Sequence, residues 1–234
     1  MDLKSRTNSL PDSTSCVIVI DDDLYFRESV GRLLRAVGLH SLAFESVAEF
    51  LDSDLPQCPI CLVLDVRLPG RSGLDFQKDL AADRVKLPIV FITAYGDIPM
   101  TVQAMKGGAV EFLTKPFRDQ DLLDAINIGL TRDRARREDE RAIETLRARV
   151  DLLTPRERAI LSQVASGRLN KQIAGDMGIT EATVKVHRSN MMRKIQVASI
   201  PALCRLVDKL KLSGESGDLA ARGAKRTPSS KRTH

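Results

Sequence analysis

"CPICLVLDVRLPGRSGLDF", residues 58–76, decides the fold. An apolar run, Ile60 to Leu64, ends in a single carboxylate, Asp65, and Leu-Pro-Gly then turns the chain toward an amphipathic stretch. A run this short, bounded by turn residues, suits a strand covered on both faces. Strand, turn and helix in that order make half of a βαβ unit.

The alternation continues on both sides of this stretch. Strands are expected at "CVIVI" (16–20), "HSLAFES" (40–46), "ICLVLDV" (60–66), "PIVFITAY" (88–95) and "EFLTKP" (111–116). Helices are expected at "RESVGRLLRAVG" (27–38), "SVAEFLDS" (46–53), "SGLDFQKDLAAD" (72–83), "IPMTVQAMKGG" (98–108) and "DQDLLDAINIGL" (119–130). Five strands alternating with five helices predict a doubly wound, five-stranded parallel sheet of the α/β class over residues 15–130.

The pattern changes after residue 130. In "RDRARREDER" (132–141) nine of ten residues are charged, and Arg134/Glu138 and Arg136/Glu140 fall at i,i+4, so a solvated helix is expected. Ile143, Leu146, Val150 and Leu153 follow at 3-4-3 spacing, a stripe suited to packing on a partner helix. Residues 131–152 therefore read as a charged helical linker. From 153 to 212 the pattern is all helical, with breaks at Gly167, Gly178 and Pro201. Residues 1–14 and the small, polar, basic segment 213–234 are expected to be disordered.

Charge divides the chain in the same place. Residues 1–130 carry 13 Lys/Arg against 19 Asp/Glu, a net −6, while residues 131–234 carry 23 against 12, a net +11. The basic half suits a polyanionic partner, although part of its excess lies in the tail. The apolar runs are far below the ~20 residues that span a bilayer, so no membrane partner is expected. The polar N-terminus lacks a secretory h-region, and with four cysteines the chain reads as cytoplasmic and reduced.

In an open parallel sheet, ligands bind beyond the carboxyl ends of the strands. The first strand ends in Asp21-Asp22-Asp23, the third in Asp65, the fourth in Thr93-Ala94 and the fifth in Lys115-Pro116. Acids at strand ends also serve as helix caps, and three aspartates alone would favour that reading. Together, however, these residues place carboxylates, a hydroxyl and an ammonium on one rim. Carboxylates packed so closely repel unless a cation joins them, and Mg²⁺ suits an all-oxygen set that leaves room for water and phosphate. Lys115 and Thr93 suit the remaining oxygens of a phosphoryl group. The implied chemistry is in-line phosphoryl transfer with Asp65 as nucleophile.

The segments "VIDDD", "LVLDVRLPGRSGLD", "FITAYGD" and "GAVEFLTKPF" resemble the receiver domain of two-component response regulators, a flavodoxin-like fold. The resemblance implies that Asp65 accepts phosphoryl from a sensor histidine kinase. It implies Mg²⁺ held by Asp21, Asp22, Asp65 and the backbone carbonyl of Arg67. It also implies phosphoryl oxygens bound at Thr93, Ala94 and Lys115, and a switch made of Thr93 and Phe112. A plain core aromatic is the other reading of Phe112.

Cys58-Pro-Ile-Cys61 has the spacing of a redox pair, but it straddles the start of a strand, where no helix dipole lowers a thiol pKa. Cys61 is expected to be a small core hydrophobe.

In the second half, Thr154, Pro155 and Glu157 fit a capping box with proline at N1. A short helix then ends near Gly178, and Thr180 caps a second that runs to about Ile195, the helix-turn-helix pattern. Val184, His187, Met191 and Ile195 share one face of the second helix. Thr183, Lys185, Val186, Arg188, Ser189 and Arg193 form the candidate DNA-facing set, with Lys171 on the preceding helix. Lys185 and Ser189 suit base edges, Val186 a thymine methyl, and Lys171, Arg188 and Arg193 phosphates. His187 is expected to be half-buried with an incidental phosphate contact. "LTPRERAIL", "GRLNKQIA" and "GITEATVKVHRSNMMRKI" resemble the DNA-binding domain of NarL/FixJ (LuxR-type) regulators. That resemblance implies four helices over 153–212, the last helping to form a dimer. Ser189 stands where many members of that family carry a basic residue.

The sequence thus predicts a phosphorylation-controlled transcription factor. Its expected partners are a histidine kinase, double-stranded promoter DNA, a second copy of itself when phosphorylated, and RNA polymerase. It is not expected to be an enzyme beyond its own phosphotransfer and slow dephosphorylation. Two rivals stand beside this reading. One is a metal-dependent phosphatase of the aspartyl-phosphate kind; those enzymes carry a D-x-D nucleophile motif at one strand end, whereas here the nucleophile would be on the third strand and Asp-Asp-Asp on the first. The other is a constitutive DNA-binding protein with the α/β half as scaffold.

Overall fold

A computed structural model describes the chain over residues 15–217, with side chains through residue 208. The expected disordered segments 1–14 and 218–234 lie outside the described residues. The chain forms two compact units, one running to Arg137 and the other starting at Glu138.

The first unit holds β1 (Cys16–Ile20), α1 (Leu24–Ala36), β2 (His40–Phe44), α2 (Val47–Leu51), β3 (Ile60–Asp65), α3 (Gly73–Ala82), β4 (Ile89–Thr93), α4 (Ile98–Lys106), β5 (Glu111–Thr114) and the first part of α5 (Asp119–Asp151). All strand pairs are parallel and the order is β2-β1-β3-β4-β5. The chain therefore reverses direction across the sheet between β1 and β3, the crevice where such folds bind ligands.

Strands β1, β3 and β4 are buried along their whole length, which explains their continuous apolar runs. Ile18, Ile20, Ile60, Leu62 and Leu64 pack on one face with Phe50, Leu74, Phe76 and Ala104 from α2, α3 and α4. Val17, Val19, Cys61, Val63, Val90 and Ile92 pack on the other with Val30, Leu34, Leu122 and Ile126 from α1 and α5. Each such aliphatic side chain contributes about 1.5–3 kcal/mol by leaving water. Gly129 lets α5 lie close against β3, because a Cβ there would collide with the Cys61 sulfur.

Cys58 and Cys61 belong to opposite faces of the sheet. Both are free thiols. Burial pushes the Cys61 thiol up to about 12, and burial also raises Cys58. Buried, protonated thiols divided by the sheet lack the accessible low-pKa thiolate that a redox pair uses.

The structure departs from the sequence reading in four places. First, α1 begins at Leu24 rather than Arg27, because Asp23 caps it by accepting the N–H groups of Tyr25 and Phe26. Second, helix continues through the boundary expected after residue 130, since α5 is unbroken to Asp151. The "solvated" segment carries a fully buried carboxylate, Asp133, which accepts the N–H of Ile60 at 2.9 Å. Arg136 and Arg137 reach the same carboxylate at 2.6 and 2.7 Å. Arg134 donates to Ser15 Oγ.

The second unit continues α5 and adds α6 (Pro155–Ala165), α7 (Asn170–Met177), α8 (Glu181–Ile195) and α9 (Ile200–Gly217). Its core gathers Ile160, Val164, Ile173, Val184, Met191, Ile195 and Leu203. Leu146 and Leu153 are buried in that core and Val150 packs against it, so the 3-4-3 stripe finds its partner in the unit's own helices. Thr154 and Glu157 form the capping box, and Thr180 accepts from Thr183 N–H at the start of α8. The third departure is Pro201, which sits in the first turn of α9, where a missing N–H costs nothing, and so does not break the helix. The fourth is that residues 213–217, expected in the disordered tail, continue α9. Extending a packed helix needs no new nucleus. Among the described residues no helix is long and apolar enough to cross a membrane.

Candidate functional site

Parallel pairing sets the ends of β1, β3, β4 and β5 side by side, and the charged residues of the sequence pattern sit there. Asp21, just past β1, is fully buried. One of its carboxylate oxygens accepts the N–H of Asp23 at 2.9 Å and the other accepts from Lys115 Nζ at 2.6 Å. Asp65, the last residue of β3, accepts the N–H of Arg67 at 2.9 Å and Lys115 Nζ at 3.3 Å. One ammonium therefore bridges two carboxylates from adjacent strands. Asp22 stands exposed at the mouth.

Burial pushes the Asp21 carboxyl above its ordinary range, although Lys115 and the Asp23 N–H both pull it down. With three carboxylates gathered here and one ammonium among them, Lys115 alone leaves this corner short of positive charge. Oxygen atoms of Asp21, Asp22 and Asp65 lie within 4.8 Å of one another. An all-carboxylate set that is open at Asp22, and still short of positive charge with Lys115 in place, fits a hard divalent cation that keeps some of its water.

The opposite wall is Thr93 and its surroundings. Thr93 is fully buried, and its Oγ1 accepts the N–H of Tyr95 at 3.3 Å. Ala94 beside it is exposed. The N–H of Lys115 donates to the Thr93 carbonyl at 2.8 Å, which ties the end of β5 to that of β4. Phe112 is half-buried, with its ring centroid 6.3 Å from that of Phe91. Gly96 fills the space between these groups. A Cβ there would meet Thr114 Cγ2 at 2.7 Å, Phe112 Cε1 at 3.0 Å and Thr93 Cγ2 at 3.3 Å. The sequence reading missed this contact, and glycine in "AYGD" was its only visible sign.

In the second unit, α7, a turn at Gly178 and α8 follow one another. Val184, Met191 and Ile195 are buried and His187 is half-buried, so one face of α8 closes the core. Lys185, Val186, Ser189 and Arg193 are exposed on the remaining faces, as is Lys171 on α7. Thr183 and Arg188 are half-buried. Thr183 bonds the Thr180 hydroxyl, and Arg188 donates to Asn170 Oδ1, bracing α8 against the start of α7.

The comparisons agree with this geometry. The family "Response regulator receiver domain" matches residues 17–127, and "Bacterial regulatory proteins, luxR family" matches 151–207. Nodulation protein W of Bradyrhizobium diazoefficiens is 50% identical over 197 residues, covering 84% of this chain and 87% of that protein. Transcriptional regulatory protein FixJ of Azorhizobium caulinodans is 42% identical over 190 residues, covering 81% and 90%. A solved structure of the response regulator StyR is 48% identical, with a TM-score of 0.73, and covers 84% of this chain and all of that one.

A receiver domain joined to a LuxR-type helix-turn-helix domain defines a two-component response regulator, and neither of the two families is an enzyme family. The chain belongs to that family: it is a phosphorylation-controlled, DNA-binding transcriptional regulator.

Proposed function

We propose that Asp65 is the phosphoacceptor and that a sensor histidine kinase is its donor. A carboxylate oxygen of Asp65 attacks the phosphorus of a phosphohistidine. The P–N bond breaks, its electron pair returns to the imidazole, and an acyl phosphate forms on Asp65. Asp21, Asp22, Asp65 and the Arg67 carbonyl are the residues that would hold Mg²⁺, which supplies charge neutralisation when bound. Lys115 moves its donors toward the new phosphoryl oxygens, and Thr93 Oγ1 and the Ala94 N–H serve the others. The observation that carries this reading is the Lys115 ammonium set between Asp21 and Asp65, beside a third carboxylate.

Thr93 and Phe112 form the switch, with the hydroxyl moving toward the phosphate and the ring taking the space it leaves. Phosphorylated receivers pair, and two copies of α8 enter successive major grooves of promoter DNA. Lys185, Val186 and Ser189 face bases, while Lys171, His187, Arg188 and Arg193 meet phosphates, and Thr183 stands beside them at the DNA-facing start of α8. The regulator works in the cytoplasm and acts on RNA polymerase at the promoter.

The test is radiolabel transfer from a phosphorylated kinase or a small phosphodonor. Label is expected on Asp65, lost in Asp65→Asn and lost on chelation of Mg²⁺. Label on another residue, or labelling indifferent to Mg²⁺, refutes the assignment.

A further inference from the structure

We propose that Phe26 is a positioning residue for phosphoryl transfer, holding the Lys115 ammonium against the acid pocket by the face of its ring. This rests on the reading of Asp65 as phosphoacceptor and extends it to a residue outside the charged set. Lys115 Nζ has carboxylates on two sides, Asp21 at 2.6 Å and Asp65 at 3.3 Å. On a third side it lies 3.8 Å from the centroid of the Phe26 ring. A ring face attracts a cation but accepts no proton and makes no competing salt bridge. It fixes where the ammonium sits without claiming the donors that the incoming phosphoryl oxygens require.

The ring is itself held from two directions. Asp23, the third acid of the run, accepts the N–H of Phe26 at 3.3 Å and of Tyr25 at 2.8 Å, and so sets the first turn of α1. Phe117, two residues after Lys115, meets the Phe26 ring edge-on, with centroids 6.1 Å apart and planes at 84°. The run from Asp21 to Phe26 and the run from Lys115 to Phe117 thus make one device. Asp21 faces the ammonium together with Asp65 from β3, Asp23 caps the helix that carries the ring, and a second aromatic braces that ring. Phe26, Lys115, Pro116 and Phe117 together line an open cavity of about 670 Å³. Without the ring, the lysine side chain has this space to swing into.

The experiment measures the initial rate of Asp65 labelling by a small phosphodonor at fixed Mg²⁺ in the full-length protein. Phe26→Leu keeps apolar bulk and removes the ring face. It is expected to slow labelling about 2- to 30-fold, the range that loss of a cation–π contact implies. Phe26→Tyr is expected to restore the rate, and Phe26→Leu is expected to cost nothing further in a Lys115→Ala background. A parental rate in Phe26→Leu overturns the proposal, as does an equal loss with and without Lys115, which marks a merely structural effect. If Phe26→Leu fails to fold by circular dichroism, Phe26→Met takes its place. The unsubstituted protein supplies an independent reading. The Lys115 ε-methylene protons are expected upfield by ring current, and ordinary positions overturn the proposal. Label on a residue other than Asp65 brings down the phosphoacceptor assignment and this inference together. Label on Asp65 with no response to Phe26 brings down this inference alone.

Discussion

Asp133 gives the sharpest test of the physical account, because a charged stretch that reads as solvent-facing contains a carboxylate with no exposure at all. Asp133→Ala removes the acceptor of the Ile60 N–H at the very start of β3. That N–H lies in the interior, and an unsatisfied buried donor costs about 1–3 kcal/mol. The substitution also breaks the contacts to Arg136 and Arg137, whose side chains keep 26% and 19% exposure and so regain some water. Removing a buried charge returns its desolvation cost, which offsets part of the loss. The net expectation is about 2–4 kcal/mol against a domain stability on the order of 5–15 kcal/mol. At 1.36 kcal/mol per decade, amide protection in β3 and β1 falls about 30- to 900-fold. Hydrogen exchange of the intact protein reads this strand by strand and does not require the two units to unfold together. Asp133→Asn keeps an acceptor oxygen and is expected to lose distinctly less. Unchanged protection at Ile60 in Asp133→Ala refutes the reasoning, because the N–H would then have another partner.

Glu157 is held below its usual carboxyl range, first by Lys194 and then by the Thr154 N–H. A depressed pKa adds stability above the ordinary value near 4.5, and this is lost as pH falls through the folded-state value, so acidification in that range should loosen α6. Glu157→Gln should cost about 1–3 kcal/mol at neutral pH and flatten that acid dependence, read by hydrogen exchange in α6; an unchanged pH profile counts against it. Gly96→Ala drives a methyl group into Thr114, Phe112 and Thr93. It should destabilise the receiver by about 1–3 kcal/mol in urea titration and shift the Phe112 ring resonances, while a neutral result would mean that the wall yields freely. Lys185→Ala should weaken DNA binding and relax base preference at one position, as a base-edge contact requires; a uniform loss across sequences with the salt slope lowered by about 1 would move Lys185 to a phosphate and overturn that placement.

What the sequence made legible was whatever short-range pattern could encode. β3 and its neighbours are continuous apolar runs because the sheet is covered on both faces, and that signal is local. The acids, Thr93 and Lys115 are placed by strand ends, so parallel order alone brings them together. The capping box at Thr154 is a three-residue pattern and was readable for the same reason. Asp133 was not readable: its partner lies 73 residues away, and nothing in "RDRARREDER" separates a carboxylate that folds under the sheet from its neighbours that face water. Asp23 was readable in principle, since aspartate directly before a helical run is a capping signal. The two acids preceding it made all three look like one cluster.

On the proposal that Asp65 is the phosphoacceptor, the acid pocket would also account for a switch rather than turnover. Before transfer, Lys115 divides its donors between Asp21 and Asp65. Transfer to Asp65, as proposed, would replace its single charge with about two on the phosphoryl group. Lys115 would then be drawn to the stronger anion and give up part of its hold on Asp21, a fully buried carboxyl already raised above its ordinary range. A buried carboxylate losing its counter-charge is costly, so the pocket gains most if a second donor, such as the Thr93 hydroxyl, serves the phosphate and leaves Lys115 shared. Thr93, Thr114 and Phe112 all converge on Gly96, where an added Cβ would meet each of them. On the proposed assignment, a change of about one charge at Asp65 would thereby become a choice between two packings of Thr93 and Phe112, because close packing admits no gradual path between them.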